Sequence, residues 1–165
     1  MSSALTSVTL PSATWPSITF QSLSEEETLA IGEQIATRIS GGEIILLSGA
    51  LGAGKTLLVK GIARALGVPA EEVNSPSFTL VNRYEGVNRY NGARQIIYHI
   101  DLYRLEAGIK AVFAVDLAGL MSEESVVLLI EWPERLENYP LPTEKVWRIR
   151  IDSDVFNHRT IQLTG

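Results

Sequence analysis

The sequence predicts an α/β fold, a three-layer sandwich on a mostly parallel central sheet. Three observations predict it. Short apolar runs suited to burial on both sheet faces, such as IILL at 44–47 and VVLLI at 126–130, are bounded by glycine or polar residues. Amphipathic helical segments alternate with them. One of these strands also runs through a glycine-rich loop directly into a helix, the connection expected of strands that pair in parallel.

Bulk properties agree with that class and exclude others. A chain of 165 residues suits one domain with a single core, which buries about two thirds of the surface its unfolded form exposes. With 45% hydrophobic and 20% charged residues, 13 Gly and 7 Pro, the composition is that of a globular chain, not a disordered or fibrous one. There is no cysteine, which excludes disulfides and thiolate metal sites and leads us to expect a reducing, cytoplasmic setting. The longest apolar runs, such as Val126 to Ile130, are far short of a membrane span. The first basic residue is Arg38, so neither a secretory signal nor a transit peptide is expected. A net charge of −5 argues against strong unaided binding to nucleic acid, whose affinity comes mainly from Lys and Arg.

Residues 1–17, rich in Ser, Thr, Ala and Pro, are expected to form a loose tail, and the domain is expected to span residues 18–165. Ser24 with Glu27 three residues later is a capping box, and Leu29, Ile31, Ile35, Ala36 and Ile39 continue at helical spacing to Gly41-Gly42. Residues 43–48 then predict a buried strand. From Lys55 a second helix keeps Leu58, Ile62, Ala65 and Leu66 on one face and stops at Gly67 and Pro69. Residues 77–84 and 95–103 read as two strands able to pair, with Asn91-Gly92 as a turn between them. A helix is expected over 110–120 and strands over 126–130, 146–151 and 160–163, with no internal repeat.

The loop between the first predicted strand and its helix reads GALGAGKT, Gly49 to Thr56, the G-x-x-x-x-G-K-T phosphate-binding pattern. Backbone amides around Gly49, Gly52, Ala53 and Gly54 can curl about phosphate oxygens, aided by the positive end of the following helix. Lys55 is placed to reach the β and γ phosphates, and the Thr56 hydroxyl is an oxygen ligand for Mg2+. The fold expected is therefore P-loop NTPase-like. Such a site also needs a carboxylate at a strand end for the metal or its waters, and Asp101 and Glu131 both qualify, beyond the carboxyl ends of their strands. Spacing does not rank them. His99, in the same strand as Asp101, reads as a hydrogen-bonded core histidine rather than a proton relay. Ser75 to Thr79 (SPSFT) is a hydroxyl-rich segment where triphosphatases carry a nucleotide-sensing loop.

Taken together, GALGAGKT, NSPSFTLVNRY, YHIDLYRL and LIEWPER resemble the TsaE family, the ATPase component of bacterial tRNA threonylcarbamoyladenosine synthesis. The four motifs stand in the family's order, and SEEETLAIG resembles its opening helix. The resemblance implies a small Mg2+-dependent ATPase that acts with TsaB and TsaD and meets tRNA through that complex, and so small and acidic a single-domain chain is expected to be weak alone, with partners completing its site. It implies that Thr56 and Asp101 serve Mg2+ and that Glu131 assists the metal or orients the attacking water. It also makes Thr79 a switch-like contact near the γ phosphate and sets Ser24 and Trp132 at the nucleotide's border. Ala50 and Leu57 depart from the family's Asp and Thr, so those two side-chain contacts cannot form here. The acidic run before Gly119-Leu120 is reduced to Asp116, which weakens any partner contact inferred from residues 106–120.

Three other readings share the loop. A small-molecule kinase needs an arginine-bearing lid, whereas Arg83, Arg89, Arg94 and Arg104 are scattered. A GTPase is suggested only by D-x-x-G at Asp116–Gly119, without a base-reading N-K-x-D. A nucleotide-binding adaptor would leave Glu131 without a chemical duty.

Overall fold

The computed structural model describes residues 16–165. Residues 1–15, most of the expected tail, lie outside them. The first described element is a strand, β1 (Ile18–Ser22), which sequence patterning does not single out. It is an edge strand whose sheet partner is the chain's last strand, about 140 positions away in register, Ile18 opposite Leu163.

Helix α1 (Glu25–Ala36) follows from its predicted cap. The Ser24 hydroxyl accepts from the Glu27 amide at 3.1 Å, and the Leu23 amide donates to the Glu27 carboxylate at 2.6 Å. Strand β2 (Ile44–Ser48) leads through the glycine loop into α2 (Lys55–Ala65). The two helices cross where Gly32 meets Gly61, so closely that a Cβ on Gly61 would strike the Leu29 carbonyl.

Strand β3 (Val81–Val87) begins four residues later than predicted, because residues 77–80 are taken up by a turn in which the Leu80 amide donates to the Pro76 carbonyl at 2.7 Å. It pairs antiparallel with β4 (Arg94–Asp101). The single helix expected over 110–120 is two, α3 (Ile109–Ala114) and α4 (Leu117–Ser122), interrupted at Asp116 with φ 48°. β5 (Val126–Glu131), β6 (Val146–Ser153) and β7 (Arg159–Thr164) complete the chain.

All seven strands form one sheet, in the order β1-β7-β6-β2-β5-β4-β3. It is mixed, which corrects the expectation of a mostly parallel sheet. The pairs β2–β5, β2–β6 and β4–β5 are parallel, whereas β1–β7, β3–β4 and β6–β7 are antiparallel. The reason lies in the connections. Short links through Asn91-Gly92 and through residues 154–158 can only turn the chain back on itself, while the parallel pairs have helical crossovers between them.

Each face carries its own core. α1 and α2 cover Ile45, Leu47, Ile97, Val127, Leu129, Ile149 and Ile151, and the α3–α4 side covers Ile44, Leu46, Ile100, Leu128 and Ile130. This alternation is what a sheet buried on both faces requires. Among the described residues, no helix is long and apolar enough to cross a membrane.

Candidate functional site

The site forms where β2, β5 and β4 end beside the first turn of α2. Gly54 enters the helix with φ 112° and ψ 20°, a left-handed conformation open to glycine. The first helical bond runs from the Leu58 amide to the Gly54 carbonyl at 3.0 Å. The amides of Lys55, Thr56 and Leu57 therefore precede any intrahelical acceptor and face the cavity at the helix's positive end.

That cavity, about 210 Å3, is lined by Gly52, Gly54, Lys55 and Thr56 from the loop, Ser75 and Ser77, the strand-end residues Asp101 and Glu131, and the rings of Tyr103 and Trp132. Lys55 is held across it. Its ammonium donates to the carbonyls of Gly49 at 2.7 Å and Ala50 at 2.9 Å, and lies 4.3 Å from the centroid of the Trp132 ring. Burial lowers the Lys55 pKa below its ordinary 10.5, and the carboxylates of Glu131, Glu134 and Asp101 oppose that shift without cancelling it.

The two carboxylates lie side by side, for Asp101 and Glu131 are register partners on β4 and β5. Both are buried, at 4% and 3% exposure. Glu131 Oε1 takes the Thr56 hydroxyl at 2.8 Å and stands 2.8 Å from His99 Nε2. With its proton directed at Glu131, the Thr56 oxygen keeps its lone pairs free for a cation. Asp101 accepts from the Tyr103 amide through Oδ1 at 2.9 Å and from the Ser77 hydroxyl through Oδ2 at 3.2 Å.

His99 is fully buried and hydrogen-bonded, but its partner is the candidate catalytic carboxylate rather than a core group. Strand periodicity goes only part of the way: residues 99 and 101 are two apart and so share a face of β4, but the contact with Glu131 needs β5 docked beside it. Nδ1 of the same ring has no hydrogen-bond partner among the described residues. A proton on Nε2, donated to Glu131, leaves Nδ1 as a bare acceptor, which costs less than a buried bare donor.

Of the residues expected in the site, Gly52, Gly54, Lys55, Thr56, Asp101 and Glu131 come together around the cavity. Gly49 stands behind it and holds Lys55 through its carbonyl. Ala53 is buried in the loop's own frame, its amide donating to the Ala50 carbonyl at 3.0 Å. Thr79 lies away from the cavity, with its hydroxyl donating to Asn82 Oδ1 at 2.7 Å. Within SPSFT it is Ser77 that reaches Asp101. Of the two border residues implied by the resemblance, Trp132 lines the cavity and Ser24 caps α1.

Among the described residues, no group of three or more His, Cys, Asp and Glu is arranged to hold a metal unaided. The donors present, a hydroxyl and two buried carboxylates, suit Mg2+, which takes oxygen ligands and usually rests on one or two carboxylates together with phosphate and water.

Comparison with known proteins identifies the family. A family model described as threonylcarbamoyl adenosine biosynthesis protein TsaE matches residues 22–161. The chain is 42% identical over 112 residues to the tRNA threonylcarbamoyladenosine biosynthesis protein TsaE of Synechocystis, a match covering 66% of each chain. It is also 42% identical over 113 residues to the protein of that name from Aquifex aeolicus, across 68% of this chain and 74% of that one. The match thus spans about two thirds of the Synechocystis protein's length. The crystal structure of Bacillus subtilis YdiB superimposes with a TM-score of 0.67 at 28% identity, covering 91% of this chain and 86% of that one.

Proposed function

The chain belongs to the TsaE family, and from that premise we propose that it is the Mg2+-dependent, ATP-binding and ATP-hydrolysing component of tRNA threonylcarbamoyladenosine synthesis, working in the cytoplasm with TsaB and TsaD. The observation that carries the reading is the hydrogen bond from Thr56 to Glu131 beside Lys55, in a cavity floored by a second buried carboxylate. A glycine turn alone would explain none of these four groups.

In this reading the amides at the start of α2 bind phosphate oxygens, and Lys55 exchanges the Gly49 and Ala50 carbonyls for the β and γ phosphates. Thr56 and Asp101 would hold the cation, which would supply positive charge to offset the charge that develops on the phosphates. Glu131 orients the attacking water. It is held in place by Thr56 and by His99, so that its second oxygen can face a water beyond the γ phosphate. Asp101 is steadied by the Tyr103 amide and by Ser77, which ties the metal end of the site to the SPSFT segment. Alone the chain is a slow ATPase, and the partner proteins supply groups that complete the site.

Reconstitution tests the whole reading. Threonylcarbamoyl transfer to tRNA is measured with TsaB and TsaD, with and without this chain, while phosphate release is followed alongside. Dependence of both on the chain and on Mg2+, abolished by EDTA, is the expected result. Transfer that proceeds equally well without the chain removes the proposed role, and phosphate appearing on a small acceptor would indicate a kinase.

A further inference from the structure

We propose that Arg159 is a positioning residue of the phosphate-binding loop: it aims the Gly54 amide into the cavity and supplies a buried positive charge behind the bound phosphates. The inference rests on the nucleotide reading above, and concerns a residue outside every motif that led to it.

Arg159 opens β7, more than a hundred residues after the loop, yet lies against it at 6% exposure. Its Nε donates to the Ala53 carbonyl at 3.0 Å. Its side chain covers Gly54 so closely that a Cβ there would lie 2.6 Å from Nε and 3.0 Å from Cδ. A second guanidinium nitrogen donates to the Thr28 hydroxyl at 3.4 Å. Thr28 in turn bonds Ser22 and the Ser24 carbonyl, so the contact runs on into the start of α1.

Two consequences follow from elementary chemistry. In a planar trans peptide the carbonyl and the next amide point in opposite directions. A carbonyl of Ala53 pinned by Arg159 therefore turns the N–H of Gly54 away from β7, toward the cavity that Gly54 lines. The second consequence concerns charge. Arg64, Arg83, Arg94 and Arg150 each pair with a carboxylate. Arg159, more buried than any of them, forms no ion pair among the described residues. A buried cation without a counter-charge is costly. The phosphates of a nucleotide, arriving on the far side of the loop, provide that counter-charge.

The test uses the full chain and calorimetric titration with ATP, ADP and AMP, with folding checked by circular dichroism. Arg159→Gln is expected to weaken ATP binding about tenfold, ADP binding less and AMP binding hardly at all, in keeping with the loss of a charge-assisted contact. Arg159→Lys keeps the charge but not the guanidinium that reaches both Ala53 and Thr28, and is expected to bind ATP more tightly than the Gln variant and more weakly than the parent. A folded Gln variant that binds ATP like the parent overturns the proposal. Equal weakening for all three nucleotides also overturns it, because a slack loop without a charge effect would do the same. If the Gln variant does not fold, the Lys variant decides: a folded Lys variant that binds ATP like the parent, or that loses ATP, ADP and AMP affinity equally, counts against the role. A parent chain that takes up no nucleotide refutes the site reading itself, a result distinct from a variant that binds normally.

Discussion

Thr56 and Glu131 stand 75 residues apart in the chain and share a hydrogen bond of 2.8 Å, which joins the first turn of α2 to the end of β5. The bond directs the threonine proton at a buried carboxylate and leaves the hydroxyl oxygen open to a cation. It makes the roles of the two residues separable by experiment.

Glu131→Gln keeps the size of the side chain and an oxygen to accept from Thr56 and His99, but removes the charge. Nucleotide affinity should remain within about threefold while hydrolysis falls about a hundredfold or more, the usual scale for losing a general base. Steady-state phosphate release and equilibrium binding measure the two. Unchanged turnover would remove Glu131 from the chemistry.

The lowered pKa of Lys55 makes a prediction about stability. Its folded pKa lies below the ordinary 10.5, chiefly because burial disfavours the ammonium. Between those two values the unfolded chain holds a proton that the folded chain has released, so stability rises with pH through that window. Lys55→Met should therefore be more stable than the parent near neutral pH without nucleotide, with an advantage that shrinks as pH climbs toward 10.5. Urea denaturation over that range checks it, and a difference that does not change with pH contradicts the burial argument.

Gly61 lies inside α2, where alanine ordinarily improves a helix by about 1 kcal/mol. Here the added methyl would strike the Leu29 carbonyl of α1. Gly61→Ala is expected to destabilise the fold by about 2 kcal/mol, as overpacking does. A higher melting temperature for this variant would mean that the crossing can relax.

Ser77 and Thr79 differ in reach. Ser77 donates to Asp101, whereas Thr79 is occupied by Asn82. Ser77→Ala should raise the Mg2+ concentration needed for half-maximal hydrolysis several-fold, and Thr79→Ala should leave it within about twofold, since only the first frees a buried carboxylate oxygen. A larger effect at Thr79 would show that the segment rearranges around the nucleotide.

Local chemistry determined a good deal of this protein. A capping box, glycine stops, apolar runs and the spacing from Gly49 to Thr56 are properties of neighbours in the chain, so α1, β2, the loop and α2 could be read from the residues directly. Asp101 and Glu131 were legible as strand-end carboxylates for the same reason. Tertiary structure decided what depends on distant partners. Which edge receives β1 follows from pairing with β7 at the other end of the chain, and the sheet is mixed because β1–β7, β3–β4 and β6–β7 all pair antiparallel. That Ser77 rather than Thr79 meets Asp101 follows from a turn closed by Leu80 and Pro76. The contacts of Glu131 with Thr56 and His99, and of Arg159 with the Ala53 carbonyl, form only when strands and helix are docked. Burial in that docked state makes each of these bonds costly to break, and no periodicity along the chain encodes it.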